Sequence, residues 1–173
     1  KVVTAANANV RQLKPEKTKN SQSAISTGVS YKAQHLLAIG ASTGGTEAIK
    51  EVLLDMPEDC PPIVITQHIP PVFSTSYAMR LDSCCAMNVH EASHGQVIEP
   101  GNVYIAPGDE HLSVRKKGSK LVCALDQSDP VNRHRPSVDV LFDSVAMLVQ
   151  KNSTAVLLTG MGKDGAEGLL NIR

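Results

Sequence analysis

Three residues suited to nucleophilic acyl transfer stand far apart in the chain, each just after a short apolar run. Ser42 follows His35-Leu-Leu-Ala-Ile39, His68 follows Ile63-Val-Ile-Thr66, and Asp164 follows Ala155-Val-Leu-Leu158. A serine hydroxyl is a poor nucleophile at neutral pH until an imidazole takes its proton. A carboxylate can then fix the tautomer of that imidazole and stabilise its cation. Ser42 also sits in Gly40-Ala-Ser42-Thr-Gly44-Gly45, a match to G-x-S-x-G, where small neighbours allow a sharp strand-to-helix turn that exposes the hydroxyl. A helix beginning just past Ser42 would aim its N–H groups and positive dipole end at an oxyanion. The backbone N–H of Thr43 is the natural first donor, and the tight Thr159-Gly160-Met161-Gly162 turn is a source for a second. Alone, each feature has a plainer reading. A Gly-rich turn packs a helix or cradles phosphate, a single histidine is usually structural, and Asp164 before Gly165 serves as a helix cap. Their placement together carries the argument.

These residues can meet only if the runs before them are neighbouring strands of one parallel sheet, whose functional crevice lies at the strands' carboxyl ends. The patterning predicts this. The run at 35–39 reads as a buried strand, and Thr46 to Met56 carries Ala48, Ile49, Val52, Leu53 and Met56 at helical spacing until Pro57. Ile63–Thr66 is a second strand, and Pro71 opens a second helix toward Leu81. Shorter strands are expected over Met87–Ala92 and Val103–Ala106, with a hairpin pairing Leu112–Arg115 and Lys120–Ala124 across Lys117-Gly118-Ser119. Ser137 is expected to cap a helix reaching about Gln150; the strand at 155–158 and a helix from about Gly165 follow. Alternating strands and helices predict a mainly parallel α/β sheet with an inserted antiparallel patch. The chain stops at Arg173 with its last helix in its second turn, where a parallel sheet would send that helix over to another strand. The C-terminus is therefore expected to be cut short.

Rival motifs have to be weighed. His90-Glu-Ala-Ser-His94 fits H-E-x-x-H, but that zinc signature needs a helix to bring both imidazoles to one face. Here the segment is followed by Gly95 and by Pro100-Gly101 and reads as strand and turn, so no metal site is expected. A dinucleotide site at Gly40–Gly45 lacks the second glycine of G-x-G-x-x-G, because position 42 is serine. Gln67 and His68 stand where an acidic ribose partner would be, and no Gly-Lys-Ser/Thr follows. Arg133-His-Arg135-Pro136-Ser137 reads either as an anion-binding patch or as a basic loop before a helix. Met161, Met79 and Met87 read as cleft lining or as core filler. Asp109, Glu110 and His111 read as a second acid–base group or as the turn before the hairpin.

With 173 residues, 42% hydrophobic and 20% charged, the chain suits one packed domain. Its net charge of zero conceals an uneven distribution. Residues 1–34 carry six basic side chains against Glu16 alone, a net +5, and the remainder carries −5. The arm is rich in Asn, Gln, Ser, Thr and Lys and poor in aromatics, so 1–34 is expected to be a flexible basic linker, not a nucleic-acid-binding element. The apolar runs are too short to span a bilayer, and no apolar stretch follows the basic start, so neither membrane insertion nor a secretory signal is expected. Cys60, Cys84, Cys85 and Cys123 form no CxxC pair and are read as reduced thiols of a cytoplasmic protein. The order Ser…His…Asp departs from the Ser…Asp…His of α/β-hydrolases.

As an ordered set, five segments resemble the catalytic domain of the chemotaxis protein-glutamate methylesterase family. They are Ile39-Gly-Ala-Ser-Thr-Gly-Gly45, Gln67-His68-Ile-Pro70, Pro100-Gly101-x-Val103-Tyr-Ile-Ala-Pro107-Gly108, His134-Arg-Pro-Ser137-Val-Asp139 and Leu158-Thr-Gly-Met-Gly-x-Asp164-Gly165. The resemblance implies a doubly wound α/β domain over 35–173, with Ser42, His68 and Asp164 as the catalytic triad and the Thr43 and Met161 amides as oxyanion donors. Gln67, Arg135, Pro136, Ser137, Gly160 and Gly162 are the expected cleft residues. It further implies hydrolysis of γ-glutamyl methyl esters on the cytoplasmic helices of methyl-accepting chemotaxis receptors, deamidation of receptor glutamines, and no metal or cofactor. In that family a phosphorylatable receiver domain precedes the catalytic domain; it is not among these 173 residues, and the resemblance implies that 1–34 is the interdomain linker.

Overall fold

Residues 35–172 are described by the structure, a computed structural model; the expected linker over 1–34 lies outside them. The apolar run after His35 forms β1 (Leu36–Ala41), and the glycines end it and admit helix α1 (Gly45–Leu54). Then come β2 (Ile63–Gln67), α2 (Pro71–Asp82), β3 (Asn88–Glu91), β4 (Asn102–Ile105), the hairpin β5 (His111–Lys117) and β6 (Lys120–Asp126), and α3 (Val138–Leu148). A short 3₁₀ turn at Gln150–Asn152 leads into β7 (Ser153–Leu157), and α4 (Ala166–Asn171) follows.

Five strands form one sheet in the order β3-β4-β2-β1-β7, every pairing parallel, and β5 and β6 pair antiparallel as a separate ribbon. Because strand side chains alternate between faces, β1 and β2 supply two cores. Ile39, Ala41, Ile63 and Ile65 pack with Ile49 and Leu53 of α1 and with Tyr77, Ala78 and Leu81 of α2. Leu36, Ala38 and Val64 face the other way, toward Leu112, Val114 and Cys123 of the ribbon and toward Val138, Leu141, Phe142 and Val145 of α3; Leu169 packs on this second core. Helices thus cover both faces, and the sheet is doubly wound. Burial on this scale stabilises by about 1.5–3 kcal/mol for each fully enclosed Leu, Ile or Phe. Among the described residues, no helix is long and apolar enough to cross a membrane.

The winding makes the crevice. After β1 the chain turns into α1 on one face, and after the adjacent β7 it turns into α4 on the other. The two connections therefore diverge at the carboxyl ends of neighbouring strands. The helix expected to reach about Gln150 runs to Leu148, and Gln150 just beyond it adopts a left-handed φ of 51°. One local expectation needs correction. Ser137 occupies the N-cap position of α3, but its hydroxyl makes no cap hydrogen bond and donates instead to a carboxylate from another loop.

Candidate active site

Ser42 leaves β1 at a tight turn whose next-but-one residue, Gly44, has φ 78°, a left-handed conformation that glycine adopts without steric cost. The turn is held from both sides. Ser42 N–H donates to Thr159 O at 2.7 Å, the Thr159 hydroxyl donates to Thr43 O at 2.9 Å, and the Gln67 amide donates to Ser42 O at 2.9 Å and to His68 O at 3.0 Å. These bonds tie the carboxyl ends of β7, β1 and β2 together, so three loops share one rigid base.

On that base the structure brings Ser42, His68 and Asp164 into a hydrogen-bonded line. Ser42 Oγ lies 2.9 Å from His68 Nδ1, and His68 Nε2 lies 2.8 Å from Asp164 Oδ2. Ser42 Oγ and Asp164 thus take opposite nitrogens of one ring, as proton relay from hydroxyl to imidazole requires. The line borders a cavity of about 410 Å³ that is also lined by Thr159, Gly160, Met161 and Gly162. Met161 is 86% exposed at its mouth. Of the two expected oxyanion donors, Met161 lines the cavity and Thr43 does not; among the described residues, neither N–H donates to a backbone carbonyl outside the regular elements.

Asp164 is buried to 9% exposure, and burial alone would raise its pKa. Hydrogen bonds outweigh that. His68, Ser137 Oγ at 2.6 Å, Val138 N–H at 2.7 Å and Asn132 Nδ2 at 3.1 Å all donate to it, and they hold it well below the usual carboxylate range. With Asp139 N–H at 3.4 Å, Asp164 also caps the amino end of α3. The sequence suggested that it caps the helix following it; the helix it serves is the one before it in the chain.

The segment read as an anion patch or a basic loop divides into separate tasks. Arg135 donates through Nε and Nη2 to Asp109 at 3.0 and 2.7 Å, and through Nη1 to the Gln127 and Ser128 carbonyls. It does not line the cavity, and neither does Pro136, which is buried. Gln67 lies beneath the Ser42 turn and Ser137 behind Asp164, whereas Gly160 and Gly162 face the crevice.

Sequence reasoning placed His134 only within that basic segment; its ring stacks on that of His68 with centroids 3.7 Å apart and planes 12° from parallel. Burial, then the adjacent His68, push the His134 imidazole below its usual pKa against the pull of Asp164. His111, expected as an acid–base group or part of a turn, is fully buried. Its Nδ1 accepts Ser137 N–H at 3.1 Å and its Nε2 lies 3.2 Å from Asp129 O, so it props the loop behind Asp164. Met87 is core, and Met79 is exposed on α2. His90 and His94 lie on strand β3 and the turn after it, bonded to Asn102 Oδ1 and to the Leu125 backbone respectively, so no helical face unites them.

A doubly wound α/β domain with a Ser–His–Asp line at the carboxyl ends of its central strands has the arrangement that hydrolases with a serine nucleophile use. Residues 37–173 match the CheB methylesterase family, and the chain belongs to that family. In an alignment of 175 positions that covers the whole of this chain, it is 53% identical to protein-glutamate methylesterase/protein-glutamine glutaminase 2 of Saccharophagus degradans, covering 50% of that protein. It is 58% identical over 140 residues to the protein-glutamate methylesterase/protein-glutamine glutaminase of Ralstonia nicotianae, covering 81% of this chain and 37% of that one. The chain thus spans about half, or less, of the curated relatives it matches. The crystal structure of the Thermotoga maritima CheB methylesterase catalytic domain superposes with a TM-score of 0.78 at 43% identity, over 82% of this chain and 75% of that one.

Proposed function

We propose that this domain hydrolyses γ-glutamyl methyl esters on methyl-accepting chemotaxis receptors, releasing methanol, and deamidates receptor glutamines. The observation that carries the reading is the Ser42–His68–Asp164 line, with contacts of 2.9 and 2.8 Å at the edge of the crevice. Ser42 Oγ attacks the ester carbonyl as His68 Nδ1 takes its proton. The tetrahedral oxyanion lies against the Thr43 and Met161 amides, and Asp164 stabilises the imidazolium that forms. Collapse breaks the C–O bond to methanol, which leaves with the proton from His68. Water, deprotonated by His68, then cleaves the acyl-enzyme to a free glutamate and regenerates Ser42. With a glutamine the leaving group is ammonia, and the other steps are unchanged.

The partners in this reading are the cytoplasmic helices of the receptors and a regulatory receiver domain, and the site of action is the cytoplasm. The Saccharophagus and Ralstonia relatives carry the methylesterase and glutaminase activities in their names, which supports the substrate class. Replacement Ser42→Ala tests it: methanol release from methylated receptor should fall by about 10³-fold or more while receptor binding persists. Release at the unsubstituted rate would overturn the reading.

A further inference from the structure

Behind Asp164 lies a second buried carboxylate that the reaction does not use. Asp139, in the first turn of α3, is 6% exposed, and its Oδ1 accepts Gly168 N–H at 2.8 Å. Asp139 and Asp164 share one donor: Asn132 Nδ2 lies 2.7 Å from Asp139 Oδ2 and 3.1 Å from Asp164 Oδ1. A side-chain amide has two N–H donors, so Asn132 can give one to each carboxylate. Both carboxylates thus draw a hydrogen bond from one side-chain amide. No Lys or Arg pairs with either among the described residues. The titratable groups facing Asp164 are His68, whose ring it bonds, His134, stacked behind that ring, and Asp139.

The backbone delivering Asn132 is under strain. Asn132 and Arg133 have φ of 51° and 70°, and the turn is closed by Val131 N–H to His134 O at 3.1 Å and His134 N–H to Val131 O at 2.9 Å. Two successive left-handed residues with side chains are costly and persist only where their surroundings impose them. Here they aim the Asn132 amide at the carboxylate pair and the His134 ring at His68.

We infer that Asn132 is a positioning residue for the reaction proposed above, bridging Asp139 and Asp164 so that Asp164 stays ionised and directed at His68. The inference rests on that proposed reaction. The test is Asn132→Gly, which removes both donors yet suits a left-handed φ. With the bridge gone, Asp164 takes up a proton more readily, or pulls harder on the His68 proton. Either change moves the acid limb of the kcat profile to higher pH.

The expected result is a fall in kcat of about 10- to 100-fold, the loss of a hydrogen bond to a charged group, with KM unchanged and the acid limb displaced upward. An unchanged kcat with an undisplaced limb overturns the inference. So does a fall in kcat that tracks lost thermal stability with the limb undisplaced, since that is a structural role. Ser42→Ala, assayed alongside, separates the two failures. If it abolishes methanol release while Asn132→Gly behaves as the unsubstituted protein, only the Asn132 inference falls; if Ser42→Ala stays active, the reaction and the inference fall together. Should Asn132→Gly not fold, the side-chain amide resonances of Asn132 in the unsubstituted chain carry the test. They should move with the titration that governs the acid limb, and indifference to it overturns the inference.

Discussion

Gly160 offers the most direct mechanical test of the site. A Cβ at this position would lie 2.9 Å from Ser42 Cβ and 3.8 Å from Ser42 Oγ. Carbon atoms in contact sit about 3.5–4.0 Å apart, so Gly160→Ala creates an overlap of roughly 0.6–1.1 Å. The Gly160 φ is not left-handed, so alanine can adopt it and the perturbation is one of volume. Neither side yields freely, because Ser42 N–H is bonded to Thr159 O at 2.7 Å and the Thr159 hydroxyl to Thr43 O at 2.9 Å. If the overlap divides evenly, Ser42 moves by about 0.3–0.5 Å relative to His68. A displacement of 1 Å in reacting groups costs on the order of 10²-fold, so kcat should fall about 10-fold, with overpacking lowering stability by about 1–3 kcal/mol. Steady-state methanol release gives kcat, and the rate of labelling by a fluorophosphonate reports Ser42 nucleophilicity apart from receptor binding. Both should fall together in a protein that still unfolds cooperatively. A labelling rate within twofold of the unsubstituted protein would refute the claim that the Gly160 turn fixes Ser42.

Two further predictions concern charge. The folded-state pKa of Asp164 is depressed below its unfolded value of about 4, so its ionised form contributes stability that is fully present above that pH and lost as pH falls below it. Thermal melts from pH 6 to pH 3 should therefore decline more steeply for the unsubstituted protein than for Asp164→Asn, and parallel declines would contradict this. Arg135→Lys should lower stability by about 1–2 kcal/mol in urea unfolding, through lost bonds to the Gln127 and Ser128 carbonyls. Asp109 is more than half exposed, so its share is screened. KM for ester hydrolysis should not move, because Arg135 lies outside the crevice; a raised KM at unchanged stability would place it among the substrate contacts.

The sheet was legible in the sequence because its evidence is local. Apolar runs of four or five residues, ended by a glycine-rich turn or by Gln67-His68, mark buried parallel strands whatever surrounds them, and the Ala48–Ile49–Val52–Leu53 spacing marks a helix. Once the strands were parallel, the three chemical residues had to lie on one edge. Strand order was not legible, since nothing in β7 announces that it pairs with β1 and not with β4. The hydrogen bond from Ser42 N–H to Thr159 O depends on that order.

What lies behind the line was hidden for a different reason. The 131–137 segment has no hydrophobic period, and its charged residues invite a single reading as a patch. In the fold its side chains part company: Asn132 reaches two carboxylates, His134 covers a ring, Arg135 pins a distant turn and Ser137 donates a hydrogen bond to Asp164. Their destinations lie up to 66 residues away in the chain, and left-handed φ at Asn132 and Arg133 is what sends them apart. Asp164 shows the same limit. Its position before Gly165 suggested a cap, and it is one, for a helix that begins 26 residues earlier. That bond to Val138 N–H, with the bond from Ser137, leaves Asp164 Oδ2 facing His68 Nε2 at 2.8 Å. Capping α3 and orienting the imidazole are thus one arrangement of a single carboxylate, and a substitution that loosens the start of α3 acts on Ser42 through it.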